Sequence, residues 1–554
     1  MISLVQLLVI ILLASTTFNC EATKYDPVFI RVNQLGFLPG DLKTGVAFSE
    51  VPIENIYFVI RDIKSGREIY QGKFIDSVYE YDKFKYCYSF DFSKVKEEGS
   101  YVVESGGRRS TPFKIGNDIY NNVVDSLMLF YKVQRCGPTN PILHAPCHLS
   151  DVSRVVGDST ISGMVDLTGG WHDAGDYIKF LSTTAYTTYM MMFAYEFDNK
   201  KFGFDDNNNG VPDILEEAKI GLDWMLRANY AKYKLVTQVQ DLRDHEVGWR
   251  LPENDTLRYD RPGYIGIGKN QIGIFSAAMS LASRIWKKEF KADHFSQKCL
   301  DAAENLYSIR NKVPDIDSSQ SGFYQDSRFL GKLALGAIEL YKTTRNKSYL
   351  DDAIIYGDSA GSDYWWSWGN INSLADYNIA KYIPRFGKYI LNNLLAFNAY
   401  KNKSVFKEGM AFTWGTTNSF LGVALQEILH KRLTRKNDFD SLAVYERDYV
   451  LGRNPWGISF IYNIGSVFPK HLHSQIAYFN NGYLPGALTA GPAPENVLKD
   501  YDIKRTNYQY NYFNTPDIKY YDDMNDYITN EPTIGCNATA IFVFGFYSNR
   551  KATK

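Results

Sequence analysis

The feature that most constrains this chain is a change of periodicity near Asn117. Between about Pro27 and Ile115, short runs such as VFIRVNQ, KTGVAF, NIYFVIRD, YCYSFDF and SYVVES alternate apolar with polar residues and are cut by Pro-Gly, Ser-Gly, Glu-Gly and Gly-Gly pairs. A period of two between such turns predicts strands, and roughly seven strands in about ninety residues is the size of an immunoglobulin-like sandwich. After Asn117 the period becomes that of a helix. In VPDILEEAKIGLDWML, Val211, Ile214, Leu215, Ala218, Leu222 and Met225 share one face, Pro212 stands near the start, and Asp213, Glu216 and Glu217 fall in the first turns, where the helix dipole favours acids. IGIFSAAMSLASRIW, FLGKLALGAIELY and SFLGVALQEILHKRL are apolar around much of their circumference, as helices packed on two sides require. The expectation is an all-β domain followed by a large, mainly α domain whose long polar loops carry the site.

Composition narrows the function. Lys and Arg number 61 against 62 Asp and Glu, a formal net charge of -1 that offers no cationic field to nucleic acid or anionic lipid. Aromatic residues reach 15%, with 41 Tyr and 34 Phe; such rings fill cores, and they also present the flat faces that sugar clefts use. The apolar run Leu4 to Ala14 is too short for a bilayer, which needs roughly 20 residues. With the small polar residues ending at Ala22, residues 1–22 read as a secretory signal peptide and the protein as extracellular; a lipid anchor on Cys20 is the alternative. Its removal leaves Cys87, Cys136, Cys147, Cys299 and Cys536, an odd number at low density that excludes a disulfide scaffold and leaves room for a metal-holding pair.

Three segments bear chemistry. In DLTGGWHDAGDYIKF, Asp173 and Asp176 stand three residues apart among Gly169, Gly170 and Gly175, so both carboxylates can point to one side of a tight turn and grip a cation or a water. In YYDDMNDYITNEPTIGCNATAIF, Glu531 sits at the edge of an apolar run, where desolvation raises a carboxyl pKa and suits a general acid. In YVLGRNPWGISFIYNIGSVFPKHLHSQ, His471 and His473 lie beside aromatics and can hydrogen-bond a hydroxyl. Each also has a plain structural reading: a solvated turn, a helix-cap carboxylate, a core histidine.

Together the segments resemble glycoside hydrolase family 9, inverting cellulases with an (α/α)6 barrel, in the subgroup with an N-terminal immunoglobulin-like domain. VNQLGFLPG resembles the opening of that domain, GGWHDAGDY is the most distinctive stretch, and Tyr520, Asp522, Tyr527, Glu531, Thr533, Asn537 and Ala538 match the C-terminal signature. The resemblance implies a multidomain chain: a signal peptide over 1–22, a sandwich over 25–115 and a catalytic barrel over 117–550. It makes Asp176 the base, Asp173 its helper in orienting the water and Glu531 the acid, the two carboxyls of such an inverting pair standing roughly 6.5–9.5 Å apart. Tyr527, His473 and Asp522 are implied as substrate-binding neighbours. Where the family usually reads His-x-Arg, this chain has His473-Ser474-Gln475, and Tyr462 and Val467 also depart; Gln lacks the charged planar fork of Arg.

The same resemblance implies a structural zinc on Cys136, Cys147, His148 and His172, a closed Cys2His2 set; a Cys136–Cys147 disulfide is the competing reading. In DDNNNGVPD, Asp205, Asn207, Asn209 and Asp213 surround Gly210 at calcium-loop spacing, although a full EF-hand would need a later bidentate Glu. No organic cofactor is implied. Trp249, Trp365, Trp366, Trp368 and Trp414 fall in loop-like stretches and are candidate sugar platforms, of which two or three are expected to touch ligand. The expected protein is a secreted, monomeric endo-acting hydrolase of β-1,4-glucan. Its alternatives are an exo-acting cellodextrinase or glucosaminidase, walled by the insertion from Ile476 to Asn514, and an inactive carbohydrate binder.

Overall fold

The computed structural model describes residues 28–161, 164–317 and 326–552; the leader expected over 1–22, with Cys20, lies outside the described residues. Phe29–Arg31, Thr44–Ser49, Tyr86–Asp91 and Ile75–Asp76 form one sheet. Gly36–Phe37, Phe113–Ile115, Gly99–Ser105, Tyr57–Asp62 and Glu68–Lys73 form the other, with Arg108–Arg109 paired onto Gly99–Ser105. The two sheets enclose Ile30, Phe37, Phe58, Phe74, Phe90, Phe92 and Phe113, all buried, so alternate residues of each strand face one core. Ten short strands stand where roughly seven were expected. The excess comes from turns that alternation does not register: Gly106 and Gly107, both at positive φ, split one run into two.

Among the described residues twelve helices of nine residues or more follow the sandwich. They are α1 (Asn121–Gln134), α2 (Leu181–Phe197), α3 (Asp213–Ala228), α4 (Lys269–Phe290), α5 (Asp293–Ser308), α6 (Leu330–Thr344), α7 (Lys347–Ala360), α8 (Asn372–Ala380), α9 (Gly387–Tyr400), α10 (Thr416–Thr434), α11 (Asp440–Val450) and α12 (Ile534–Tyr547). The even-numbered helices touch in a closed ring, α2 to α4 and onward to α12 and back to α2, and the odd-numbered ones lie outside them. This is an (α/α)6 barrel. The inner helices are the ones apolar all round, and α2, α10 and α12 bury nearly every side chain.

Connection length places the site. Four of the five even-to-odd connections have only two to six residues, the fifth being 198–212, whereas the odd-to-even loops 135–180, 229–268, 309–329, 361–371, 401–415 and 451–533 all have eleven residues or more. All six loops therefore crowd the end of the barrel where the inner helices begin. A further sheet, ordered Met164–Asp166, Val152–Val156, Gly263–Ile265, Val236–Val239 and Lys179–Phe180, stitches the first loop to the second, and backbone pairing of this kind makes a long loop stiff enough to hold catalytic geometry. No helix among the described residues is long and apolar enough to cross a membrane.

Candidate active site

The first loop leaves α1 and folds back along its end. Cys136 N–H donates to Gly170 O at 2.9 Å, His172 N–H to Gln134 O at 2.8 Å, and Gln134 Nε2 to Ala174 O at 2.6 Å. Trp171 is buried, its Nε1 donating at 2.9 Å to Glu217, which also pairs with Arg135 at 2.7 Å. Glu217, read from the sequence as a first-turn acid of α3, is thus also a buried anchor for the loop.

Asp173 is buried, accepts from the Thr183 hydroxyl, and its carbonyl takes the Ile534 N–H of α12 at 3.0 Å. Asp176 keeps 16% of its side chain exposed. Its Oδ1 accepts the Ile178 N–H at 2.9 Å and its Oδ2 meets His245 Nε2 at 3.0 Å. Glu531 comes from the last loop and reaches the same turn, its Oε1 accepting the Gly175 N–H at 3.1 Å. A Cβ on Gly175 would stand 2.3 Å from His473 O and 3.1 Å from that Oε1, so only glycine lets the aspartate turn approach the acid this closely. Burial first, then the charge of Asp176, and further the charge of Asp173, push the Glu531 carboxyl well above the ordinary carboxylate range, against the pull of the Gly175 N–H. One mouth thus holds an acid that favours its proton beside carboxylates that raise it, the division of labour a pair of proton-transfer groups needs.

Sequence reasoning missed His245. It lies on the short helix Arg243–Glu246 of the second loop, and the hydrogen bond to Asp176, followed by the charges of Asp176 and Asp244, raises its pKa despite partial burial. Behind it runs a buried charge lattice: Arg250 to Asp244 at 2.6 Å and to Asp255 at 2.8 Å, Arg261 to Asp151 at 2.7 Å and to Asp255 at 3.3 Å, and the Tyr177 N–H onto Asp244 at 3.1 Å. Buried charges persist only when paired in this way, and the lattice fixes both neighbours of Asp176. The only signal in DLRDHEVGW was a histidine beside an acid.

His473 donates from Nδ1 to Met524 O at 2.7 Å, which leaves Nε2 toward the mouth, and burial lowers its pKa. Its ring meets Trp249 at 5.4 Å and Tyr527 at 5.7 Å; Tyr527 in turn meets Trp414 and Tyr501 at 6.0 and 5.8 Å. Asp522 differs from expectation. Its side chain has no exposed surface and accepts from the Lys470 and His471 N–H groups at 2.9 Å each, with Asn530 and Gln509 also bound. It ties loops together and reaches a sugar only through them. Gln475, in the arginine's place, is buried: its Oε1 accepts the Arg250 N–H at 3.1 Å and its own N–H donates to Gly175 O at 3.0 Å. Of the tryptophans, Trp366 is core packing against Gly422, whereas Trp365 and Trp368 line a groove of about 400 Å³ with Asp326, Arg328 and Tyr364.

Cys136, Cys147, His148 and His172 bring one donor atom each within 4.8 Å of all the others, and all four residues are buried. Sulfur to nitrogen spans 3.5 and 3.8 Å and nitrogen to nitrogen 3.2 Å. Bonds of 2.3 Å to sulfur and 2.0–2.1 Å to nitrogen give tetrahedral edges of about 3.5 and about 3.3 Å, so the four residues fit a zinc ion. His148 Nε2 rests on Asp255 Oδ2 at 3.0 Å, the carboxylate behind a histidine that fixes a ligand tautomer. Both cysteines are free thiols, which removes the disulfide reading. In the DDNNNGVPD loop, Asp205 accepts the Asn209 and Gly210 N–H groups at 3.1 and 2.8 Å, and Asn207 and Asn209 cap Asn209 and Val211. Burial, then the charges of Asp206 and Glu216, raise Asp213 to about 6. The loop is therefore ordered largely by its own backbone, with carboxylates crowded at its foot.

Comparison with known proteins bears on the same residues. The profile described as "Glycosyl hydrolase family 9" matches residues 120–544, and that of a "Cellulase N-terminal ig-like domain" matches 28–110. Endoglucanase D of Acetivibrio thermocellus is 25% identical over 526 residues, covering 86% of this chain and 80% of the relative. A xyloglucan-specific endo-beta-1,4-glucanase of Bacteroides ovatus is 26% identical over 577 residues, 92% of each chain. The crystal structure of a metagenome-derived family 9 endoglucanase superimposes with a TM-score of 0.81 at 26% identity, covering 94% of this chain and 99% of that one. Sandwich, barrel and a mouth bearing two aspartates and a glutamate thus meet in one molecule, and the chain belongs to glycosyl hydrolase family 9.

Proposed function

We propose that this glycoside hydrolase cuts β-1,4-glucan internally, by single displacement with inversion, and that it works outside the cell. The observation that carries the reading is the contact of Glu531 with the Gly175 N–H, which holds a proton-retaining carboxyl against the turn that bears Asp176. A sugar chain lying across the mouth meets both groups. Asp176, held by His245 and the Ile178 N–H, takes a proton from a water as that water attacks the anomeric carbon. Glu531 gives its proton to the departing glycosidic oxygen, and the bond breaks with the α-anomer formed from a β-linkage. Asp173 keeps the turn registered on α12, while His473 and Tyr527 border the bound ring.

Cys136, Cys147, His148 and His172 would hold a structural zinc that leaves no open position for a catalytic water. Its place is to clamp the loop between Cys136 and Asp173. Asp205, Asn207, Asn209 and Asp213 form the candidate calcium loop, remote from the chemistry. The protein as a whole acts on β-glucan, as do the named relatives, and the leader over residues 1–22 supports secretion.

Proton NMR of fresh products from cellohexaose tests the reading. Initial α-anomer with mixed product lengths is the expected result. Initial β-anomer would overturn the single displacement, one short product throughout would move the enzyme to exo-action, and binding without cleavage would make it a carbohydrate binder.

A further inference from the structure

We propose that Tyr478 and Phe479 form a sugar-stacking platform that extends the active-site mouth along one flank and sets the preference for long chains. The proposal rests on the glucan-hydrolase reading above. Both residues close the short helix Gln475–Phe479, which is tied to the catalytic loops rather than free to drift. Ser474 caps it by accepting the Ala477 N–H at 3.3 Å, the Gln475 N–H donates to Gly175 O, and Gln475 Oε1 accepts the Arg250 N–H. Gln475, Ile476 and Ala477 are buried, so the helix is seated by its first turn and holds the last two rings outward.

Those rings are 51% and 45% exposed, unusual for a Tyr-Phe pair on a well-seated element. They also continue a row. Phe479 meets Tyr478 at 5.0 Å, Tyr478 meets Trp249 at 5.4 Å, Trp249 meets His473 at 5.4 Å, and His473 meets Tyr527 at 5.7 Å. Successive contacts are all edge-on, so each covers one face of one ring and leaves other faces for a ligand's C–H surface. The row passes the chemistry at its far end, since His473 O lies against Gly175, whose N–H holds Glu531. A glucan seated on Asp176 and Glu531 therefore runs onto Trp249 and then onto the Tyr478–Phe479 pair. The continuity of the exposed rings with the site identifies the occupant as the sugar chain itself. The segment from Ile476 onward, which as sequence suggested a wall, offers a track at this end.

The test uses two hosts. In the otherwise unaltered chain, Tyr478→Ala combined with Phe479→Ala is expected to raise KM for cellohexaose about tenfold with kcat reduced less than threefold, and Tyr478→Trp with Phe479 retained to restore KM. In a Glu531→Gln host, where turnover is about 1,000-fold slower, the same double substitution is expected to weaken cellohexaose binding about tenfold and cellotriose binding by far less. The second experiment reads the platform even if the assigned linkage or mode of cleavage is wrong. Equal loss of affinity for both lengths would show that the rings only buttress Trp249, and unchanged cellohexaose binding would show that they face no sugar; either overturns the proposal.

Discussion

Glu531 is the residue whose chemistry and stability are most tightly linked. Its folded pKa is raised, so between the ordinary carboxylate value of about 4.3 and that raised value the native chain binds a proton that the unfolded chain has released. Its contribution is then full below the lower value and lost as pH rises through the folded one: the acid favours the native state under acidic conditions and works against it near neutrality. Glu531→Gln removes the titration and keeps the shape. Turnover of cellohexaose is expected to fall about 1,000-fold, within the range for loss of a general acid, while calorimetry at pH 7 shows a Tm higher by roughly 2 °C or more and the difference closes below pH 4. A variant that lost activity but was equally destabilised at every pH would point to a structural carboxyl instead.

At the scale of elements, the first loop is packed through Trp171, Tyr177 and Phe180, all buried, and the Cys2His2 cluster is placed to clamp it further. His148 adopts φ 48°, a left-handed conformation that disfavours a side chain by about 1–2 kcal/mol and so implies a compensating bond. The purified chain is expected to carry one zinc by metal analysis, and Cys147→Ser to abolish it. That variant is expected to lower Tm by about 10 °C and reduce kcat through the loop leading to Asp173 and Asp176, with the far-ultraviolet spectrum retained. In sequence the ligand set of this element came through the family resemblance, since the spacing of the two cysteines and two histidines alone is a weak signal. His245 was not legible, for its role arises only when the second loop pairs with the first across a sheet. Asp522 misled because an acid in a site-bearing segment looks the same whether it touches a ligand or gathers backbone N–H groups. The helices were readable from their apolar circumference, whereas the number of strands was not, since short strands carry too few residues to establish a period.

At the scale of the whole molecule, the sandwich is wired to the loop that carries Glu531, the proposed acid. In VNQLGF, Asn33 donates to Asp448 at 2.8 Å, and Gln34 donates to Gly457 O at 2.8 Å while accepting the Ser466 and Val467 N–H groups at 3.0 and 2.8 Å. The last loop sends a strap, residues 505–514, across the same boundary. At one end Phe513 inserts beside Phe29 at 4.9 Å and Phe84 at 6.1 Å, with Arg31 over its ring and Tyr81 donating to its carbonyl at 2.7 Å. At the other end Arg505 pairs with Asp526 at 2.5 Å, the Asn507 N–H binds Asp523 at 2.7 Å, and Asn507 Nδ2 binds Asp522 O at 2.8 Å. Those aspartates belong to the segment that ends in Tyr527 and Glu531. Phe513→Ala is therefore expected to cost about 2 kcal/mol of stability and also to lower kcat about tenfold, because the strap loses its hold on the sandwich while still attached to the acid's loop. Phe58→Leu, deep in the sandwich core and far from the strap, serves as the comparison: it is expected to lower Tm by a similar amount with kcat maintained. If both variants lose stability and neither loses kcat at a temperature where each is folded, the sandwich supports the barrel only as a mass of buried surface, and the wiring has no catalytic consequence.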